Sequence, residues 1–315
     1  MKTRYYIGLG IVSLAVSVFA FPQTPAHATH FAILLSGDSG DALLDDCVSA
    51  EIDDLIVEVV KEKDEATGEV LRKRPGKVKY SNITLRALPG SAASGELQTW
   101  WQEVSKGKDI RKNITVVLRA DGKAGFDDAQ PRYTFFNGRP EEFFLTEEPG
   151  LDGTLSVTEN YLCSTRGLHL YAGKAFQPPK NVRAKIALEH IGRFSVENAL
   201  TGWSGGEPAL VLGFLHNGTR YHEPSDSPFV TNLILKKEGP AGSEALYDWI
   251  NILASGEDPT GILEITEAKP NGRPGRKYTY HEAWPCRWKA PKLNANSDTY
   301  IVEELEFAVE RVERG

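Results

Sequence analysis

The chain lacks most of the short patterns that mark a catalytic or metal centre. It has three cysteines among 315 residues, Cys47, Cys163 and Cys286, and no two of them have C-x-x-C spacing. A zinc site of that kind is therefore excluded. The histidines, among them His169, His190, His216, His222 and His281, are scattered and never form H-E-x-x-H. There is no P-loop and no dinucleotide-binding glycine fingerprint. Basic residues are too few for a nucleic-acid footprint: 36 Lys and Arg stand against 43 Asp and Glu. The same acidic balance disfavours attraction to anionic lipid. Long uncharged runs are also missing, with one exception at the start of the chain.

That exception runs from Tyr5 to Phe21. It follows a basic start, Met1-Lys2-Thr3-Arg4, and is closed by Pro22-Gln23-Thr24-Pro25 and then Ala26-His27-Ala28. Basic start, apolar middle and a small-residue A-x-A exit are the parts of a secretory signal peptide. The alternative is a single N-terminal membrane anchor, but the run is short for a span and its proline-rich A-x-A exit favours cleavage, so the sequence predicts a leader over residues 1–28 and an exported protein, periplasmic or extracellular, without stable membrane insertion once the leader is gone. Removing 28 of 315 residues leaves 287, and losing Lys2 and Arg4 leaves 34 basic against 43 acidic residues, a net charge of −9. That length supports about two domains. Export permits one disulfide and one odd thiol, and the other reading is three small buried residues. If a bridge forms, Cys47–Cys163 is expected, because both lie in the first half.

The rest of the chain repeats itself in order. Arg132-Tyr133-Thr134-Phe135-Phe136 matches Lys277-Tyr278-Thr279-Tyr280-His281 at an offset of 145, and the same offset places Pro140 on Pro285, Phe143 on Trp288 and Leu162 on Phe307. Ser94, Leu97 and Trp100 match Ser243, Leu246 and Trp249 at 149, and Asn82–Arg86 matches Asn232–Lys236. Phe31 with Gly37, Ser39 and Gly40 is aligned with Phe194 and the glycine-rich Thr201–Gly206. These matches predict two copies of one domain, at 30–172 and 181–315, joined by a Gly- and Pro-punctuated linker at 173–180.

Each copy reads as mainly β with one α-helix. Val78–Leu85, Asn113–Leu118 and Ile301–Val309 alternate or are β-branched, as strands are. Lys185–His190 suits a short strand leading into the second copy. Glu58–Lys73 reads as a hairpin with a charged tip. Ser94 and Ser243 stand as caps before Leu97, Trp100, Trp101 and Val104, and before Leu246, Trp249, Ile250 and Leu253, all at helical spacing.

The order of these elements, with W-P-x-x-W at Trp284-Pro285-Cys286-Arg287-Trp288, Leu293-Asn294-Ala295-Asn296-Ser297 and then the acidic Val302–Glu306, resembles the tail tube proteins of contractile phages. The resemblance covers most of the second copy. The first copy follows by order, with Asn137-Gly138-Arg139-Pro140 in place of the Trp-Pro element. It implies a small β-barrel or sandwich with one helix, the fold shared by tube proteins of type VI secretion. It also implies a structural role, self-association into hexameric rings, a hairpin arm that reaches a neighbouring ring, and no enzyme activity or cofactor. Three chains of two domains would supply six domains.

Two other function classes compete. A monomeric exported binding module would keep the fold and lose the polymer. A serine hydrolase would use Ser204 in Gly202-Trp203-Ser204-Gly205-Gly206, which fits G-x-S-x-G, with His222 or His281. That motif needs a strand before it and a helix directly after it, whereas Glu207-Pro208 and an apolar run follow here. Asp38, Asp41, Asp45 and Asp46 form an acidic cluster without EF-hand spacing. The N-x-[ST] matches at Asn82, Asn113 and Asn217 are short enough to arise by chance. No catalytic, cofactor or metal residue is therefore assigned from the sequence.

Mass spectrometry of protein from its native host should find a mature chain beginning near Thr29. An intact Met1 in a soluble cytoplasmic fraction would refute export.

Overall fold

The computed structural model describes residues 30–38, 40–63, 65–66, 70–119, 130–149, 155–173, 184–188, 194–198, 200–205, 208–216, 219–238, 244–255, 257–268, 274–295 and 302–315. The expected leader and most of the expected linker lie outside them. The first half runs β1 His30–Gly37, β2 Gly40–Leu44, β3 Cys47–Ile52, β4 Leu55–Lys63, β5 Val70–Lys79, β6 Ile83–Ala87, α1 Ala92–Ser105, β7 Lys112–Arg119, β8 Arg132–Pro149, β9 Leu155–Ser164 and β10 Gly167–Tyr171. The second runs β11 Ala184–Leu188, β12 Phe194–Asn198, β13 Leu200–Gly205, β14 Pro208–His216, β15 Thr219–Val230, β16 Leu233–Glu238, α2 Glu244–Ser255, β17 Gly261–Ala268, β18 Pro274–Lys289, β19 Leu293–Asn294, β20 Val302–Ala308 and β21 Arg311–Arg314. The fold is mainly β, two β-rich halves with one helix in each among the described residues.

Both halves are wired alike. In the first, β1 pairs with β2 and β7, β7 with β8, β8 with β9 and β10, and β6 joins β9 to β3. In the second, β11 pairs with β12 and β17, β17 with β18, β18 with β20 and β21, and β16 joins β20 to β13. Each has a separate hairpin, β4–β5 and β14–β15. The long strands β8 and β18 serve two partners in succession, and both turn at a residue in the left-handed region, Asn137 (φ 54°) and Glu282 (φ 50°). Few residues with a Cβ adopt that conformation, so its recurrence 145 residues apart is a conformational match. A bulge follows at the same place in each, after Pro140 against β9 and after Pro285 against β20.

Helix α1 buries a single stripe, Ala93, Ser94, Leu97, Trp100 and Val104, and α2 buries Ala245, Leu246, Tyr247, Trp249, Ile250 and Leu253. The indole N–H groups are used alike: Trp100 donates to the Ile110 carbonyl at 3.1 Å and Trp249 to that of Pro259. One hydrophobic cluster runs through both halves, joining Ile33, Leu85, Tyr133 and Tyr161 to Leu235, Trp249, Trp288 and Phe307.

Several expectations change. The first cap is Ser91, whose hydroxyl accepts from the Ser94 amide at 3.1 Å; Ser94 lies inside the helix and donates to Glu159. Val78–Leu85 is two strands, broken at Tyr80–Asn82. In the pairing, Pro140 faces Cys163 and Pro285 faces Phe307, so Cys163, not Leu162, holds the place of Phe307. The counterpart of β1 is β11, because Leu35 and Leu188 face Ile114 and Leu263. Phe194 therefore does not hold the place of Phe31, and Thr201–Gly205 lies in the strand β13. Short glycine-rich strings align by composition, and ladder register overrides that.

The expected Cys47–Cys163 bridge is absent: all three cysteines are free and buried. Cys47 pairs with Ala87 at one end of β6 and Cys163 with Ile83 at the other, on opposite sides of that strand. Two strand spacings, about 10 Å, separate them across the sheet, and four residues of strand, about 13 Å, separate them along it, well beyond disulfide reach. Burial pushes the thiols of Cys47 and Cys286 up to about 12, and that of Cys163 higher still. At pH 8 all three stay protonated and unreactive. A thiol reagent should label none of them in the folded protein and three per chain in denaturant without reductant. Fewer than three after unfolding would reveal a bridge.

Candidate functional site: the seam between the halves

Among the described residues no three His, Cys, Asp or Glu side chains gather as metal ligands, and the charged clusters have structural duties. Asp46 accepts from the Ala92 and Ala93 amides at 2.8 and 3.0 Å, completing the first turn of α1. Asp45 pairs with Arg119 at 2.7 Å. Ser204 lies exposed in β13, and the next described element is the strand β14. The helix that would hold a nucleophile elbow is not there. His281 pairs in the ladder with Arg311 on β21, and His222 with Gly213 in the β14–β15 hairpin.

The built site is the seam. The base of the β4–β5 hairpin leaves the first half and adds to the outer edge of β18, with Ile56 opposite Arg287 and Leu55 opposite Trp288. In return β19 leaves the second half and adds to β3, with Leu293 opposite Ala50 and Asn294 opposite Ser49. The Ala295 amide extends that contact to the Val48 carbonyl at 2.8 Å. Each half thus covers a sheet edge of the other, which an isolated domain would leave open.

The W-P-x-x-W residues build this contact. Trp284 and Cys286 pack with Val57, Ala308 and Leu253 in a small buried cluster. The bulge after Pro285 turns Trp288 into the main core, where its ring meets Tyr133 edge-on at 5.2 Å. Arg287 stays outside and donates from Nε to Asp54 at 2.7 Å, with a second contact from Nη2. Further along the hairpin, Lys73 is buried and donates from Nζ to the carbonyls of Val230 and Val309, both at 2.8 Å. Its backbone amide donates to Glu310 at 2.6 Å. Burial lowers the Lys73 pKa. Helix α2 is clipped to β10 of the other half, where the Asn251 side chain accepts from the Leu170 amide and donates to the Leu170 carbonyl, both at 2.9 Å.

At the centre lies an acid. Glu303 is fully buried and accepts from the hydroxyls of Tyr247 and of Tyr133, the latter from the other half. Lys237, 1% exposed, stands opposite it in the β16–β20 ladder. Burial raises the Glu303 pKa, with Lys237 and the two phenols pulling the other way. Burial lowers that of Lys237, and Glu303 opposes the shift. Both phenols are pushed well up, by burial first and by the carboxylate next.

Sequence reasoning missed Glu303, Lys237, Lys73 and Asn251. A signal for Glu303 existed, since it alternates in phase with Leu305 and Phe307 and so falls on the inward face of its strand. The predicted hairpin is present, but its base docks within its own chain.

Residues 219–313 match the T4-like virus tail tube protein gp19 family. A search of curated protein sequences returned no match. Among solved structures, the cap of the anti-feeding prophage is 19% identical, covering 45% of this chain and 92% of that one with a TM-score of 0.33. The sheath–tube complex of the extracellular contractile injection system PVC is 19% identical, with coverages of 45% and 93% and a TM-score of 0.32. Hcp1 from Flavobacterium johnsoniae is 17% identical, with coverages of 46% and 98% and a TM-score of 0.26.

Removing one member of a buried charge pair leaves the other uncompensated, at about 3–5 kcal/mol, whereas replacing both is often neutral. Glu303→Gln should therefore lower the unfolding midpoint strongly, and Glu303→Gln with Lys237→Met should recover most of the loss. Trp288→Ala should cost about 3–5 kcal/mol. Denaturant titration checks all three.

Proposed function

We propose that this chain is an exported structural subunit of a tube, made of two copies of one tail-tube-like domain at 30–172 and 181–315 joined by 173–180. The observation that carries the proposal is the match of residues 219–313 to the T4-like tail tube family. The common wiring of the halves supports the duplication, as do the paired left-handed residues Asn137 and Glu282. The chain's role is to associate with itself.

The seam supports that role physically. It is heterologous: the first half offers a hairpin and the β3 edge, and the second offers the β18 edge and β19. A heterologous contact repeats head to tail, and it closes into a ring when the rotation fits. If six domains close a ring, three chains suffice, and the ring is threefold because the halves differ. In this reading the seam inside each chain is one of the ring's contacts made permanent by covalent linkage, which raises the effective concentration of the two partners.

Negative-stain class averages of the mature protein at high concentration should show rings with six similar lobes, alone or stacked. A monodisperse single chain under all conditions would contradict the proposal.

A further inference from the structure

The two halves have the same parts, but only one set is used inside the chain. Hairpin β4–β5 is docked on β18. Its counterpart, hairpin β14–β15, pairs with no other described strand. The two hairpins share a pattern: Val57 faces Val78 and Ala209 faces Phe229, an irregularity follows in each, longer on β15 than on β5, and then Val59 and Val211 each face a proline, Pro75 and Pro224. The acceptor is also duplicated. By the shared bulge, Glu142 and Phe143 on β8 hold the places of Arg287 and Trp288 on β18. Along β8 the later residues pair with β9 on one side, and no described strand lies on the other.

Exposure separates the two acceptors. On β18 and just beyond it, Cys286, Trp288 and Ala290 are buried. On β8 the whole stretch Glu141–Leu145 is exposed, including Phe143 at 36%, Phe144 at 40% and Leu145 at 59%. Three consecutive large apolar residues on an open strand edge invite another chain. The adjoining helix agrees. Asn251 and Tyr247 of α2 are held by the first half, whereas Gln102 and Gln98, in the corresponding places of α1, are exposed.

We infer that hairpin β14–β15 of one chain adds to the outer edge of β8 at Glu141–Leu145 of a second copy, repeating between chains the contact that β4–β5 makes with β18 within one. The occupant is a second copy of this chain because the same chain already contains the contact once, donor and acceptor both. The inference rests on the self-assembly proposed above and specifies the surface that performs it. The two contacts are not identical. Glu142 replaces Arg287, so the ion pair to Asp54 has no equivalent. Pro208 stands at the place of Ile56 and offers no N–H, and Glu207, which lies outside the described residues, stands in the sequence at the place of Leu55. The contact between chains therefore depends on Phe143, Phe144 and Leu145 more than on charge, and it is weaker than the seam within a chain.

The test uses the full mature chain. Phe144→Asp with Leu145→Asp places two acids on the open edge at exposed positions, so folding should be unchanged by circular dichroism and melting temperature. Sedimentation velocity should show the wild type assembling with concentration and the variant remaining a single chain. Hydrogen exchange of the wild type, assembled against dilute, should gain protection at both 141–147 and 208–230. Assembly that persists in the variant, with protection gained elsewhere, would overturn this surface and leave the tube reading standing. A wild type that never assembles would overturn both.

Discussion

The architecture depends on one act of strand addition. The base of the β4–β5 hairpin, at Leu55 and Ile56, joins the open edge of β18, and Trp284 and Trp288 are buried behind it. Without that addition β18 would present an unpaired edge lined by two indoles, and the hairpin would carry Leu55 and Val57 into water. With it, the cores of the two halves merge into one cluster. The reciprocal addition of β19 to β3 closes the other side. Burial of this kind, rather than any surface ion pair, holds the halves together.

The buried polar groups of the seam then fix which arrangement is formed. Glu303 needs the hydroxyl of Tyr133 from the first half, and Lys73 needs the carbonyls of Val230 and Val309 from the second. Slipped pairing would leave these groups buried and unpaired, which is costly. Asn251 reads the backbone of Leu170 with both atoms of its amide and so permits one axial position for α2 against β10. Apolar contact supplies the attraction, and these few groups supply the register.

Much of this was legible in the sequence, and the failures have physical causes. The helices were visible from Leu97, Trp100 and Val104 and from Leu246, Trp249 and Leu253, because helical spacing is local. The hairpin was visible from its charged tip. Its destination was not, because edge pairing joins backbones more than 200 residues apart and leaves no local pattern; Ile56 opposite Arg287 is an example. The W-P-x-x-W element stood out as a motif, yet its meaning as the floor of a seam needed the bulge after Pro285. The cysteine expectation failed because nearness in a sheet is set by ladder order, and β6 lies between β3 and β9.

The contact between the two halves is heterologous, and an assembly that repeated it between chains would differ from a simple twofold dimer. An isologous pair would use one patch on both partners and stop at two chains. A head-to-tail contact continues until it closes. Native mass spectrometry of the mature protein over a concentration series addresses this most directly. The account predicts single chains giving way to a species of three chains or to multiples of it. A distribution that ends at two chains would contradict it.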